Sequence, residues 1–218
     1  MRTKQQSLDL LDQYGFKPEL IVDVGAAAGT EGLYTTWPTA HYLLIDILPT
    51  MEAAMHEIAT KMHSAEIVVA AVGSSANRLE FARHPTHPHS VALSPSAPAD
   101  WIRFSVDQLT LDSIVQRSSI GWGFRRAVVK IDVDGPELDV IKGSSTLLEN
   151  ECVFIIETPL CDQASSRFTS IAAYMRDCGY EIFDLIEPVY RPGDQALWQV
   201  DTIFVPRDSV YRAKRTYF

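Results

Sequence analysis

The stretch "VVKIDVDGPELDVIKG", Val128 to Gly143, places charged residues where an apolar strand would be expected to continue. It begins as a run of Val and Ile and carries carboxylates at Asp132 and Asp134 near the end of that run. Strands buried on both faces are almost continuously apolar, and an unpaired buried carboxylate is costly in free energy. The pattern therefore predicts either a chemical site or internal pairing at the end of this strand.

Similar short apolar runs recur along the chain and are separated by amphipathic helical patterns. The other runs are "ELIVDVG", "HYLLIDI", "EIVVAAVG", "CVFIIET", "YEIFDLI" and "VDTIFVP". This alternation is typical of parallel strands covered by helices on both faces. We predict an open, doubly wound α/β sheet.

The chain reads as one domain preceded by a helix. Residues 1–17 predict an N-terminal helix that packs on the core, and residues 18–218 a single domain. Residues 82–101 are rich in Pro, Ser and His without periodicity, which predicts an insertion loop that serves as a substrate lid.

Charge and hydropathy limit the partners. A net charge of -9 and a pI near 5.1 argue against nucleic acid or an anionic membrane, because both require clustered Lys and Arg. No apolar run approaches the roughly 18 residues that a membrane-spanning helix needs, so we expect a cytoplasmic protein. The sequence admits a homodimer but carries no specific signal for one.

A glycine-rich turn follows the first strand and suggests a cofactor that contains ribose. "DVGAAAGTEG" supplies Gly25 and Gly29, where the backbone can approach a ligand closely. Asp46 lies about 20 positions further on, at the end of the second strand, and can accept hydrogen bonds from ribose hydroxyls. NAD and S-adenosylmethionine both fit, but the turn lacks G-x-G-x-x-G, which favours the cofactor without a pyrophosphate. The structural alternative is that Asp46 caps the helix after Pro49.

The order and spacing of several motifs resemble the FkbM-type S-adenosylmethionine-dependent methyltransferases. These motifs are "DVGAAAGTEG", "VVAAVGSSANRLEF", "LTLDSIV", "VVKIDVDGPELDVIKGSSTLL", "FIIET" and "MRDCGYEIFDL". The resemblance implies a class I methyltransferase sheet of seven strands, mostly parallel with an antiparallel strand near the C-terminus. It also implies O-methylation of a hydroxyl on a small metabolite or sugar. The chain departs from the family at Ala27, where Asn is usual, and at Asp134, where Glu is more common.

On this resemblance, each strand end receives a role in binding S-adenosylmethionine. The methionine part is expected near the glycine turn, the ribose at the end of the second strand and the adenine at the third. Asp132 is expected to face the cofactor as well as the acceptor. The predicted binding residues are Asp23, Gly25, Ala26, Gly29, Asp46, Ile47, Ala71, Val72, Gly73 and Asp132.

Three carboxylates, Asp132, Asp134 and Glu157, are the predicted catalytic residues. Methyl transfer to an alcohol needs a group that removes the hydroxyl proton, and a carboxylate beside another carboxylate has the raised proton affinity that suits a base. Asp132 is the first candidate, although it could instead pair with Lys130, two residues earlier. Asp134 and Glu137 match a D-x-x-E capping box, so we expect Asp134 also to cap the following helix.

Several alternatives remain open from the sequence. His84, His87 and His89 on the predicted lid are other candidate bases. The strand-end carboxylates could hold Mg²⁺, which is not favoured, and the spacing of the three histidines does not match a structural zinc site. An NAD-linked oxidoreductase and a catalytically inactive binding or scaffold protein are the alternative functions.

Overall fold

A computed structural model describes residues 1–87, 91–160 and 167–212. The strands are β1 (Leu20–Val24), β2 (His41–Asp46), β3 (Ser64–Val69), β4 (Ala71–Val72), β5 (Asn77–Arg83), β6 (Val91–Leu93), β7 (Ile102–Leu109), β8 (Arg126–Ile131), β9 (Glu151–Pro159), β10 (Tyr180–Tyr190) and β11 (Leu197–Pro206). The α-helices are α1 (Lys4–Gln13), α2 (Glu31–Thr36), α3 (Glu52–Ala59), α4 (Leu111–Arg117), α5 (Glu137–Lys142), α6 (Ser145–Leu148) and α7 (Arg167–Asp177).

The main sheet has seven strands in the order β10-β11-β9-β8-β1-β2-β3. Strands β3, β2, β1, β8 and β9 are parallel, while β11 lies antiparallel between β9 and β10. This confirms the predicted class I methyltransferase sheet. The strand order reverses at β1 and β8, and ligands of open α/β sheets bind beyond the strand ends at such a point.

Apolar residues cover both faces of the sheet. Ile21 and Val128 belong to one core, which also contains Leu8 and Leu11 of α1. Their neighbours in the strands belong to the other core, with residues of α4, α5, α6 and α7. Burial on both faces explains why the central strands read as continuous apolar runs. Within the described ranges, no helix is long and apolar enough to cross a membrane.

The N-terminal helix has a well-defined start. The Thr3 hydroxyl accepts from the Gln6 amide, and the Gln6 side chain accepts from the Thr3 amide, which forms a capping box. The helix ends just before Gly15, whose φ of 82° is left-handed. Its apolar side packs on the main sheet, so α1 holds a fixed position against the strands.

A second sheet, in the order β4-β7-β5-β6, occupies the region of the predicted insertion loop. The prediction that residues 82–101 lack regular structure is wrong: the segment contains the end of β5, all of β6 and a short 3₁₀ helix, Ser94–Ser96. Pairing of β5 with β6 and β7 satisfies backbone groups that a free loop would leave to water.

The expected helix cap at Asp134 is also wrong. The residue preceding α5 is Pro136, which provides no side-chain cap, and Asp134 is exposed. Glu137 does reach back, but its Oε1 accepts from the Gly135 amide at 2.9 Å. Gly135 has a φ of 128°, and this turn separates Asp134 from the helix start.

Gly143 brings α5 into close contact with the backbone that follows β4. A Cβ atom at Gly143 would lie 2.1 Å from the carbonyl oxygen of Gly73, a backbone atom that cannot move without shifting its strand. A Cβ atom at Gly193, in the β10–β11 turn, would meet no atom within 4 Å. The two glycines therefore differ in their steric tolerance.

We expect Gly143→Ala to lower the free energy of unfolding by about 2 kcal/mol or more, because the new methyl group overlaps backbone. Gly193→Ala is the matched control and should change it by less than about 1 kcal/mol. Urea unfolding followed by circular dichroism measures both. Equal stability of the two variants would contradict the close packing at Gly143.

Candidate active site

The glycine turn after β1 is pressed against the end of β8. Gly25 has a φ of 79°, and a Cβ atom there would lie 1.9 Å from the carbonyl oxygen of Asp132. The Asp132 amide in turn donates to the carbonyl of Val24 at 3.0 Å. Only glycine fits this position, and the contact fixes the turn beside the first of the predicted catalytic carboxylates.

Asp46 shapes the same turn from the end of β2. Its Oδ2 accepts from the Ala27 amide at 2.9 Å, and its Oδ1 accepts from the Leu48 amide at 2.8 Å. The amides of Gly25 and Ala26 donate to the carbonyl of Ile45. These amides are therefore engaged within the protein, whereas each Asp46 oxygen keeps a further lone pair for a hydroxyl donor.

Ala27 adopts a left-handed conformation, with a φ of 43°. Residues with a Cβ atom are strained in this conformation, and Asn tolerates it better than Ala. The position that departs from the FkbM pattern is thus one where backbone conformation alone favours Asn or Gly.

A buried ionic chain lies beneath the turn. Lys130 Nζ lies 2.9 Å from Asp132 Oδ2 and 3.5 Å from Asp23 Oδ1, and the Tyr34 hydroxyl donates to Asp23 Oδ2 at 2.7 Å. Asp23 is fully buried, while 42% of the Asp132 side chain is exposed. Asp132 therefore makes the pair with Lys130 that was one alternative from the sequence, and it stays partly exposed at the strand end; its facing the cofactor and the acceptor stays a prediction.

The charges in this chain stabilise one another. Burial would lower the pKa of Lys130, but the nearby carboxylates of Asp23 and Asp132 outweigh it and raise that pKa above its usual range. Burial, followed by the charge of Asp23, raises the pKa of the Tyr34 hydroxyl. Lys130 therefore stays cationic and Tyr34 stays a neutral donor at physiological pH.

Glu157 has a raised proton affinity. Burial raises its pKa to about 7, assisted by the negative charges of Asp132, Asp134, Asp201 and Glu137. It lies on the same face of the sheet as Asp132, because each follows directly after the paired residues Ile131 and Ile156. Adjacent strands are about 4.8 Å apart, so the two carboxylates are neighbours where β8 and β9 carry their C-terminal ends.

Asp134 is the least embedded of the predicted catalytic residues. It is exposed and lies beyond the strand, and it acts on Glu157 through its charge. The neighbouring Glu137 is fully buried, and both of its carboxylate oxygens lie 2.9 Å from Nη1 of Arg167. Glu137 is thus a structural ion-pair partner that links α5 to α7.

A cavity of about 670 Å³ opens beside the glycine turn. It brings together Gly25, Ala26, Gly29 and Asp132 from the predicted site, with Lys130 and the first residues of α1. Its described lining is Thr3, Lys4, Gln5, Gly25, Ala26, Ala27, Ala28, Gly29, Thr30, Glu31, Gly32, Thr35, Lys130, Asp132 and Glu187.

The residues predicted to surround adenine lie outside this lining. Ile47 is half-buried after β2, and Ala71, Val72 and Gly73 are buried. The Gly73 amide donates to the carbonyl of Leu109, so this segment is also a junction with the second sheet. Their proposed contacts with adenine stay a prediction.

The histidine loop does not contribute to the described wall of the cavity. The rings of His84 and His87 are 4.7 Å apart, and His84 packs edge-on against Trp101. His89 lies outside the described residues. Among residues 1–87, 91–160 and 167–212, no group of three or more His, Cys, Asp or Glu is placed to hold a metal ion.

Several residues that contact Glu157 or its neighbours could not be identified from sequence. Gln199 donates to Glu157 Oε1, and Asp201 lies directly opposite Glu157 in the β9–β11 pair. Asp201 is the carboxylate in "VDTIFVP", and it could have been noticed in the sequence because a charge inside a buried strand needs a partner. Lys4, which pairs with Asp201 at 3.0 Å, had no such signal because it lies at the start of an ordinary amphipathic helix.

The sheet and its glycine turn define a class I methyltransferase. The family model described as the methyltransferase FkbM domain matches residues 23–182. This chain belongs to the FkbM methyltransferase family, whose members take their methyl group from S-adenosylmethionine. Helix α1, most of β10 and all of β11 lie outside the matched region.

Two solved structures are similar to this chain at low sequence identity. A putative RNA methyltransferase, PH1948 from Pyrococcus horikoshii, aligns with a TM-score of 0.50 and 8% identity over 92% of this chain and 80% of its own. A putative methyltransferase from Streptococcus mutans, solved in complex with SAH, aligns at 0.49 with 10% identity over 94% and 99%. No curated protein sequence matches the chain. These likenesses concern the fold and do not identify an acceptor.

We expect Ala27→Gly to raise the free energy of unfolding by about 0.5–1 kcal/mol, since glycine adopts the left-handed conformation without steric cost. Ala28, whose φ is not positive, is the matched control. Ala28→Gly should lower stability by about 0.5–1 kcal/mol, because it only increases the freedom of the unfolded chain. Both variants are compared with wild type by thermal unfolding. A gain in stability for Ala27→Gly with a loss for Ala28→Gly supports the strain at Ala27, and a loss of stability in both variants would contradict it.

We also expect the raised pKa of Glu157 to be detectable in the pH dependence of the unfolding free energy. Its pKa is raised from an ordinary 4.5 to about 7, so the folded protein keeps a proton that the unfolded chain releases. This contribution is full below about pH 4.5 and is lost as the pH rises through about 7.

Glu157→Gln should therefore match wild type near pH 4.5 and exceed its unfolding free energy by about 1–2 kcal/mol near pH 8, after allowance for solvent screening. Glu57→Gln, at an exposed position on α3, is the control and should show no such divergence. Chemical unfolding at both pH values measures the difference. A constant offset between Glu157→Gln and wild type would rule out a raised pKa at Glu157.

Proposed function

We propose that the protein methylates a hydroxyl oxygen of a small metabolite or sugar and that Glu157 is the general base. The observation that carries this proposal is the position of Glu157, half-buried at the end of β9, beside the cavity residue Asp132 and held by Gln199. A base that works near neutral pH needs a proton affinity in that range. Asp132, the first candidate from sequence, becomes a neighbouring carboxylate that is already paired with Lys130.

The residues that shape the glycine turn suit S-adenosylmethionine. Gly25 allows the turn to pack directly against the Asp132 backbone beside the cavity, and Asp46, at the end of β2, retains acceptor capacity for ribose hydroxyls. Three carboxylates, Asp132, Glu31 and Glu187, line the cavity together with two lysines, so charges of both signs are available to the charged methionine part of the cofactor. When bound, S-adenosylmethionine supplies a methyl group whose bond to sulfur breaks as the acceptor oxygen forms its bond to carbon, and sulfur keeps the electron pair as a neutral thioether.

The chain's own residues complete this transfer. Glu157 accepts the hydroxyl proton, and Gln199 holds Oε1 of its carboxylate in one orientation. Lys130 pairs with Asp23 and Asp132 and so holds the Asp132 carboxylate in place at the end of β8. Glu157 must be ionised to act as a base, so turnover is expected to rise as the pH increases through about 7.

Binding is tested first by calorimetric titration with S-adenosylhomocysteine, S-adenosylmethionine and NAD. We expect micromolar binding of the first two and none of NAD. Gly25→Ala should abolish binding because its methyl group overlaps the Asp132 carbonyl, whereas Gly193→Ala should bind as wild type does. Binding of NAD alone would favour an oxidoreductase, and binding of no nucleotide would favour a scaffold protein.

Turnover is tested next by following S-adenosylhomocysteine formation with a panel of sugars, glycosides and phenols. With an acceptor in hand, Glu157→Gln should lower kcat by about 10²-fold or more while S-adenosylhomocysteine binds within a few-fold of wild type. Asp132→Asn is the matched comparison on the neighbouring strand. If Asp132→Asn loses turnover while Glu157→Gln keeps it, Asp132 is the base instead.

A further inference from the structure

We propose that Lys4, in the first turn of α1, is a positioning residue of the catalytic centre that holds Asp201 and balances the charge around Glu157. This inference rests on the proposed role of Glu157 as the base. Lys4 precedes residues 23–182, which the family model covers, so family membership gives it no role.

The contact between α1 and the sheet is specific. Lys4 Nζ lies 3.0 Å from Asp201 Oδ2, with 23% and 13% of the two side chains exposed. The Lys4 amide donates to Glu187 Oε1 at 2.7 Å, and the capping box fixes the helix start around it. Lys4 also lines the cavity with Asp132. It is therefore held at the site by its backbone as well as by its side chain.

Asp201 needs this cation because it faces another carboxylate. It is paired directly with Glu157 in the antiparallel β9–β11 register. Side chains at such positions have their Cβ atoms about 5 Å apart, and like charges there are destabilising. The Lys4 ammonium offsets the Asp201 charge and thereby affects how readily Glu157 ionises.

The other charged side chains around Glu157 lie on or next to several neighbouring elements. Asp132 and Asp134 follow β8, Asp201 lies on β11 and Glu137 lies on α5, and all four oppose ionisation of Glu157. Among the cations, Lys130 is held by Asp23 and Asp132 and also interacts with Asp201 through its charge, and Arg167 contacts Glu137. Within the described part of the chain, Lys4 forms the ion pair with Asp201, the carboxylate opposite Glu157.

The test is a pH titration of the side-chain carboxyl carbons of the ¹³C-glutamate-labelled protein by NMR. The Glu157 signal is assigned by its loss in Glu157→Gln, so no methyl acceptor is required. Lys4→Met should move the Glu157 midpoint up by about half a pH unit or more, because an attractive charge is removed. Lys4→Arg should restore the wild-type midpoint.

The opposite change provides the decisive comparison. Asp201→Asn should move the Glu157 midpoint down, and in that background Lys4→Met should have a smaller effect than in wild type if the two act as a pair. Lys17→Met is the control, since Lys17 pairs with Asp12 near the far end of α1. An unmoved midpoint in folded Lys4→Met, or in Asp201→Asn should Lys4→Met fail to fold, would overturn the inference.

Failure of this inference can be distinguished from failure of the proposed function. If Lys4→Met shifts the titration midpoint of Glu157 but Glu157→Gln retains turnover, Glu157 is not the base and the charge coupling still holds. If Glu157→Gln loses turnover but Lys4→Met leaves the midpoint unchanged, the base assignment stands and Lys4 has no positioning role.

Discussion

The ion contacts of Lys130 with Asp23 and Asp132 are the interaction on which the site depends. Two carboxylates at the ends of adjacent buried strands would repel each other and would favour protonation. The buried ammonium lies near both, so charge is retained where β1 and β8 end and the glycine turn can lie directly over it. Removing the ammonium would leave the buried Asp23 carboxylate without its cation, so Lys130 ties the two strand ends together energetically.

The parallel strands and their covering helices could be predicted from the apolar runs and the helical patterns between them, whereas the seven-stranded sheet was implied by the family resemblance. Continuous runs such as "LIVDV" and "AVVKI" can be buried on both faces only when helices cover both sides. The hairpin in residues 82–101 was missed because β6 has three residues, too few to show a period. Asp134 and Glu137 match the residue types of a capping box. The pattern does not specify the backbone conformation of Gly135, whose turn moves Asp134 away from the helix start.

The site was predictable where a single residue type has to occupy a position, and less so where contacts are distant in sequence. Gly25 and Asp46 follow from the spacing of the turn. The partners of Glu157 and Asp201 come from β11 and from the first turn of α1, far away along the chain, and no local pattern joins them. Ala27 illustrates a third case, in which a departure from the family pattern acquires a physical meaning only when its left-handed φ is known.

The placement of β11 between β9 and β10 has a consequence for biosynthesis. A ribosome releases β9 and β10 before β11, so the nascent sheet presents the edge of β9 with unpaired amides and carbonyls. Pairing of that edge and arrival of Asp201 opposite Glu157 happen in the same step, when β11 inserts. Until β11 has left the ribosome, the exposed edge of β9 is a surface on which chaperones and aggregation compete.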